Sequence, residues 1–432
     1  MIPRRHKYNI YAISVCTAVF LWFYMTWQRD DIYGVNLYDS TQTPASGVPS
    51  RDIMSRCVAN IAADPSVDSK AKFYSVWNDS VNGEQFNVDL TKTVVFWTKM
   101  WKKHLNVYMP GKEGKLCPTL PQCTFTTNAE NIRTADAVIF ENSQLPLTYQ
   151  MSEMPQTRFQ HQYWIWLISE CPNYLKINLN SYSAVFNWTI TYRPDSDVSG
   201  AWGSQHLVYK RLKGADLDPN TDYSLGKTKL AVWFISKCSS RAHRILYAQE
   251  LLKHIHVDIF GKCGRIVCDK QDFQCTVRHI RQYKFYLAFE NMKCKQYITE
   301  KFWRHALGNN VVPVVLGAPK KDYEYLTPPN SFIHVDDFES PKSLANYLKL
   351  LDTDTEMYNQ YFKWKTNPPK TIPLDDGVWC NLCRKLLGIC PNTRKMYTNL
   401  DKWYRGENND ECEPVKNGTY QEVHFDTDDY DH

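Results

Sequence analysis

Side chains able to do chemistry concentrate in the stretch from Lys284 to Pro319, KFYLAFENMKCKQYITEKFWRHALGNNVVPVVLGAP. Glu290, Asn291, Tyr297, Glu300 and Lys301 follow one another there with little apolar sequence between them. An ammonium in the first turn of a helix, beside backbone N–H groups that have no intrahelical partner, is a setting for an anion. Glu300 lies about 100° round the helix from Lys301 and can accept hydrogen bonds from a diol such as a ribose. The combination points to a nucleotide diphosphate. The pair taken alone also fits the solvated face of an ordinary helix. The elements that must position these groups are legible: Lys284 to Phe289 is a short strand, Thr299 to Leu307 suits a helix that Gly308 would close, and Val311 to Leu316 is a second strand. In such a βαβ unit the polar groups sit where the strand's carboxyl end meets the helix.

Three further segments carry candidate chemistry. In WIWLISECP, Trp164 to Pro172, Glu170 ends an aromatic strand, where a carboxylate could take the proton of an attacking hydroxyl or could simply be a surface acid. In FNWTITYRPDSDV, Asp195 and Asp197 form a D-x-D, a pattern able to hold a divalent ion or to cap a loop. In VWFISKCSSRAHRIL, a strand leads into a helix carrying Arg241 and Arg244, whose planar forks of donors suit phosphate oxygens.

The rest of the chain supplies the scaffold. Thr93 to Trp97, Ala135 to Phe140 and Tyr163 to Ile168 read as strands of a first α/β domain, residues 91–222. Tyr223 to Lys229 reads as a hinge, and Leu230 to Ile235 opens a second domain, residues 228–370, in which Ser343 to Tyr361 reads as one helix. Residues 371–432 form a C-terminal segment. Two open-sheet domains are the simplest architecture, and 432 residues suffice for them.

The amino-terminal part looks like an address. Residues 1–7 include Arg4, Arg5, His6 and Lys7, and the uncharged segment 8–27 makes about 30 Å of helix, enough to cross a bilayer. The basic flank would stay cytosolic and send the bulk of the chain to the lumen, and no small-residue cleavage pattern follows Trp27. Residues 28–90 are polar and proline-punctuated, a stem. Sequons at Asn78, Asn187 and Asn417 fit a lumenal chain. So do 14 cysteines, which in an oxidising compartment favour disulfides over zinc. Cys16 lies in the membrane segment, and the other 13 are an odd number, so at least one is free or links two chains. Cys57 in the stem could bridge a homodimer, stay free, or pair within the chain. The net charge of +5 is small and gathers into no basic run, which argues against nucleic acid as a partner.

FYLAFEN, YITEKF and VVPVVLGAP, with WIWLISECP and FNWTITYRPDSDV in the same order, resemble the α1,3-fucosyltransferases of glycosyltransferase family 10, and the invertebrate members in particular. The similarity runs roughly from Val94 to Cys383. The family consists of Golgi type II membrane enzymes, and the resemblance implies two Rossmann-like domains facing a cleft, the GT-B architecture. It also implies inverting transfer of L-fucose from GDP-β-L-fucose to an N-acetylglucosamine hydroxyl of a glycoprotein glycan. On that resemblance Glu170 is the general base. Trp202, Ser236, Arg244, Tyr286, Asn291, Tyr297, Glu300 and Lys301 bind the donor, with Arg244 and Lys301 on the diphosphate and Glu300 on the ribose. Arg241 is expected to face solvent. No metal is required, although Mn2+ or Mg2+ could stimulate, and Asp195 and Asp197 are read as loop and capping residues. Cys380 and Cys383 are expected to pair with two cysteines of the first domain, for which Cys117 and Cys123 are placed suitably, in an order that is not readable. Lys237 stands where the family usually has Asn, and Cys171 where it often has Ser. The first departure fits a rival reading, a silent glycan-binding protein of the same fold; and because a diphosphate site does not identify the sugar, a nucleotide-sugar hydrolase or a transferase for another nucleotide sugar is a second alternative.

Overall fold

In a computed structural model of the chain, the structure describes residues 91–98, 116–117, 120, 122–200, 202–239, 243–264, 266, 268, 273–369, 377–387, 395–414 and 425. The membrane segment, the stem with Cys57, the sequons at Asn78 and Asn417, and Arg241 lie outside the described residues. Among those described, no helix is long and apolar enough to cross a membrane.

Among the described residues, ten strands make two five-stranded sheets, and every pairing within them is parallel. The first sheet contains β1 (Lys92–Phe96), β2 (Cys123–Thr126), β3 (Ala137–Glu141), β4 (Tyr163–Leu167) and β5 (Trp188–Ile190), in the order β2-β1-β3-β4-β5. The second contains β6 (Lys229–Phe234), β7 (Val257–Phe260), β8 (Tyr283–Phe289), β9 (Val312–Leu316) and β10 (Ile333–His334), in the order β10-β9-β8-β6-β7. Numbered within its own sheet, each follows the order 2-1-3-4-5. This is a doubly wound order that differs from the 3-2-1-4-5-6 of a dinucleotide fold, and its crevice opens between the first and third strands. In the second sheet that places the crevice at the carboxyl ends of β6 and β8.

Parallel strands covered on both faces need near-continuous apolar sequence. β4 and β8 are buried at every residue, and both were legible as uninterrupted runs. β2, β5, β7 and β10, of two to four residues, were not.

Three local expectations are corrected. The polar connection after β8 leads into a π-helix, Lys301–Ala306, and a short 3-10 turn, Leu307–Asn309. The segment closes at Asn310, which takes the left-handed conformation with φ 58°, and not at Gly308. So short a segment offers little macrodipole, and the anion argument must rest on side chains. The helix expected from Ser343 to Tyr361 is broken: Pro341–Thr353 ends at Asp354, which leaves helical geometry and caps Thr355–Asn359 by accepting from the Met357 N–H.

The domain boundaries shift as well. Tyr209 packs with Trp364 and the core beside β8, so the chain has already joined the second domain before the expected limit at 222. Tyr223, at the start of the segment expected as a hinge, stacks on Phe362 with centroids 4.3 Å apart. The helix Val378–Leu387 returns to the first sheet, where Trp379, Leu382 and Leu386 bury against Val94, Phe96 and Ile165. Cys380 and Cys383, three apart on one helical face, bond to Cys117 and Cys123 respectively. Three more disulfides join Cys238 to Cys263, Cys268 to Cys275, and Cys294 to Cys412. Cys171 is the free cysteine among the described residues, and it is buried.

Candidate functional site

The aromatic strand β4 delivers Glu170 to the edge of the first sheet. Its backbone is held from both sides: the indole N–H of Trp202 donates to Ser169 O at 2.7 Å, and the Tyr404 hydroxyl donates to Glu170 O. The side chain meets the second domain. Glu170 Oε2 accepts from the Tyr297 hydroxyl at 3.0 Å and from Asn291 Nδ2 at 3.3 Å. Among the described residues neither donor reaches Oε1. Glu170, Asn291, Tyr297 and Trp202, named separately from the sequence, are therefore brought together.

Behind Tyr297 lies a charge cluster in which Glu290, named in the sequence among the polar groups but given no binding role, is central. Glu290 ends β8 fully buried and accepts from the Thr299 N–H and hydroxyl, both at 2.8 Å, and from Lys301 Nζ at 2.9 Å. Lys301 also donates to Thr299 Oγ1 at 2.8 Å and to Glu300 Oε1 at 3.3 Å. All three ammonium protons are thus engaged. A phosphate oxygen would most readily replace the longest of these bonds, that to Glu300. Burial pushes the Glu290 carboxyl up. Burial would raise Glu300 too, but Lys301 and His305 hold it down at about 2. Burial would depress the Lys301 ammonium, yet Glu290 and Glu300 keep it above its ordinary value. Glu300 is therefore an ionised acceptor, 26 % exposed, as a ribose contact requires. The signal that could have found Glu290 was in view: an acid in the run FYLAFEN, adjoining a candidate.

Arg244 enters from the helix His243–Leu252 that follows β6, and 4 % of it is exposed. Its guanidinium donates to Phe289 O and Lys237 O, each at 3.2 Å, and among the described residues its buried Nε has no partner. Burial lowers its pKa against the field of Glu290, though a guanidinium stays charged. An unpartnered cationic N–H beside a buried ammonium is a site that an anion would satisfy. The carbonyl of Asn291 is likewise buried without a partner.

Other candidates are placed differently. Tyr286 is fully buried in β8, and its hydroxyl hydrogen-bonds His305 Nδ1 at 2.9 Å. Burial holds His305 down at about 4, so the ring is neutral and accepts from the phenol. Tyr286 therefore backs the cluster and does not line the cleft. Ser236 is exposed at the end of β6. The Lys237 ammonium lies over the Tyr174 ring, 4.1 Å from its centroid.

Asp195 pairs with Arg193 through two contacts of 2.9 and 3.0 Å and accepts from the Trp403 indole, while Asp197 accepts from Thr189 N, the Tyr397 hydroxyl and Lys395. Both carboxylates bind the C-terminal segment to the first sheet. Among the described residues, each triad of potential metal ligands, Cys171-Cys294-Cys412 and Cys268-Cys275-His279, contains a disulfide-bonded pair. The sequon at Asn187 needs correction. That side chain is fully buried, accepting from Trp164 N at 2.9 Å and donating to Lys395 O at 3.0 Å, so its amide is committed to the fold and closed to a glycan.

The arrangement is that of a group-transfer site: two doubly wound domains, an acid from one against a cluster of cations and an ionised, partly exposed carboxylate of the other. The chain belongs to glycosyltransferase family 10, the fucosyltransferases. Residues 89–203 match "Fucosyltransferase, N-terminal" and residues 224–403 match "Glycosyltransferase family 10 (fucosyltransferase) C-term". Glycoprotein 3-alpha-L-fucosyltransferase A of Drosophila melanogaster is 38% identical over 322 residues, 73% of this chain and 60% of that protein. The 4-galactosyl-N-acetylglucosaminide 3-alpha-L-fucosyltransferase FUT5 of Homo sapiens is 36% identical over 297 residues, 68% of this chain and 76% of that protein. A crystal structure of an alpha1,3-fucosyltransferase with GDP aligns over 72% of this chain and 95% of its own at 19% identity, with a TM-score of 0.44.

Proposed function

We propose that the protein is an inverting α1,3-fucosyltransferase of GT-B architecture that moves L-fucose from GDP-β-L-fucose to an N-acetylglucosamine hydroxyl of a glycoprotein glycan. The observation that carries this reading is the meeting of Glu170 with Asn291 and Tyr297, beside Lys301 and Glu300. It sets a proton acceptor of one domain against the anion-binding cluster of the other. In this account Glu300 holds the ribose, and Arg244 through its open Nε and Lys301 take the diphosphate. The acceptor oxygen attacks the anomeric carbon as the bond to GDP breaks. Its proton passes to Glu170, and the configuration inverts in one displacement. Oxocarbenium character at the sugar is stabilised as in inverting hydrolysis, where the base likewise faces the leaving group from the opposite side. Charge on departing GDP falls on Arg244 and Lys301, so no metal need supply it.

Family membership and the activities for which both relatives are named support the sugar and the linkage. They differ in the acceptor they name, and N-glycan core and antenna are both within the proposal. We place the protein in the Golgi membrane as a single-pass type II protein, with the uncharged segment 8–27 as anchor. The silent-lectin reading rested on Lys237, but its ammonium is taken up by Tyr174 and leaves Arg244 Nε open. The test is transfer to a panel of N-glycopeptides with GDP-fucose as donor, followed by mass spectrometry. Turnover of GDP-fucose supports the proposal. Turnover of only another nucleotide sugar, or glycan binding without release of GDP, would replace it.

A further inference from the structure

Glu170 is followed directly by Cys171, the buried free thiol, and across from it stands the disulfide between Cys294 and Cys412. The three Sγ atoms lie within 4.8 Å of one another. Such a thiol and disulfide are one substitution from exchange, which needs an attacking thiolate, a reachable sulfur and a leaving group. Cys294 is buried, whereas Cys412 is partly exposed, so the solvated leaving group is Cys412.

We infer that Cys171, Cys294 and Cys412 form a thiol–disulfide exchange site that couples the C-terminal segment to the catalytic cleft. The Cys171 sulfur, its proton released to solvent, attacks Cys294 Sγ. The Cys294–Cys412 bond breaks, a Cys171–Cys294 bond forms, and Cys412 leaves with the electron pair and takes up a proton. No net oxidation occurs, and no external reagent is consumed.

The geometry gives the exchange a consequence. Cys294 precedes Tyr297 by three residues, and Tyr297 is the donor on Glu170 Oε2. A bond from Cys171 to Cys294 ties the loops of both groups together in a new spacing and releases Cys412. The segment around Cys412 is also held by the hydrogen bonds Lys295 N to Glu411 O and Glu413 N to Lys293 O, both 2.8 Å, and by the ion pairs Lys295–Asp410 at 2.7 Å and Arg193–Glu411 at 3.1 Å, and it walls a cavity of about 460 Å³ with Gly317 and His334. Burial pushes the Cys171 thiol up to about 12, despite backbone N–H groups of Asn173 and Tyr174, so the resting state keeps the thiol protonated and the exchange slow. The link to activity rests on reading Glu170 as the base, while the exchange itself does not.

The test separates the two. Full-length protein from a secretory host is held with and without trace glutathione, alkylated in denaturant, digested without reduction and mapped by mass spectrometry. The account expects Cys294–Cys412 with alkylated Cys171 at rest, and a Cys171–Cys294 peptide with alkylated Cys412 after glutathione. The variant Cys412→Ser, made in the same oxidising host, should trap the Cys171–Cys294 peptide, with fucosyl transfer lowered at least tenfold. Cys171→Ser/Cys412→Ser should restore transfer to within about twofold of wild type. If Cys171 stays fully alkylatable in wild type and in Cys412→Ser, the exchange site is refuted whatever the activity. If the new bond forms without change in transfer, the exchange stands and its coupling to Glu170 fails.

Discussion

The hydroxyl of Tyr297 donates to Oε2 of Glu170 over 3.0 Å, joining residues 127 positions apart in sequence and carried by different sheets. Tyr297 was expected among the donor-binding groups, yet in this structure it orients the acid. A hydrogen bond to an ionised group is worth about 1.5–3 kcal/mol. Tyr297→Phe should therefore lower kcat about tenfold to a hundredfold with less effect on the KM for GDP-fucose. A change confined to KM would return Tyr297 to a purely donor-binding role.

Glu290 depends on a glycine for its position. A Cβ on Gly317 would stand 2.7 Å from both Cβ and Cγ of Glu290. Gly317→Ala should push Glu290 away from Lys301, weaken GDP binding about tenfold measured by calorimetry, and lower stability by about 1–3 kcal/mol. Unchanged GDP affinity would show that the Glu290–Lys301 pair does not organise the diphosphate site.

Arg244 carries a buried donor that has no partner among the described residues. Removal of about 2 kcal/mol of transition-state stabilisation corresponds to roughly a thirtyfold loss of rate. Arg244→Lys, which keeps charge but loses the planar fork, should recover only part of kcat relative to Arg244→Ala. Equal rates for Arg244→Ala and wild type would remove Arg244 from the mechanism.

His305 predicts an acid-sensitive fold. Its folded pKa of about 4 lies below the ordinary value of 6.5, so between those values the unfolded chain binds a proton that the native chain refuses. Its contribution is complete above the unfolded value and is lost as pH falls toward 4, by at most about 3 kcal/mol. His305→Gln should flatten this part of the Tm profile. Below about 4.5, Glu300 adds a second loss, because the unfolded carboxylate takes up a proton that the native one refuses, and this loss is smaller in His305→Gln, which lacks one of the groups holding Glu300 down. An identical wild-type and His305→Gln slope between pH 6.5 and 4 would contradict the assignment.

The sequence showed what local pattern can show. Runs of five to seven buried residues, as in β4 and β8, announced strands because both faces are covered. It did not show strands such as the two-residue β10, or that Asn310 would close the segment that Gly308 seemed to mark. Site residues were legible one by one through a family resemblance, but not their pairings. Tyr286 turns inward to His305 and Asn187 holds β4, because burial is decided by elements far away in sequence. Glu290 was named but given no role, because an acid at a strand end is ordinary until Lys301 and Thr299 are seen to converge on it.

The central claim is that Glu170 takes the acceptor's proton in a metal-independent transfer. Its most direct test incubates the detergent-solubilised full-length protein with GDP-fucose and an N-glycopeptide panel in EDTA, beside Glu170→Gln, and follows fucose incorporation by mass spectrometry. The account predicts incorporation by the wild type in EDTA and a loss of at least a thousandfold in Glu170→Gln, with GDP binding retained. Transfer by Glu170→Gln at a rate near wild type would contradict it.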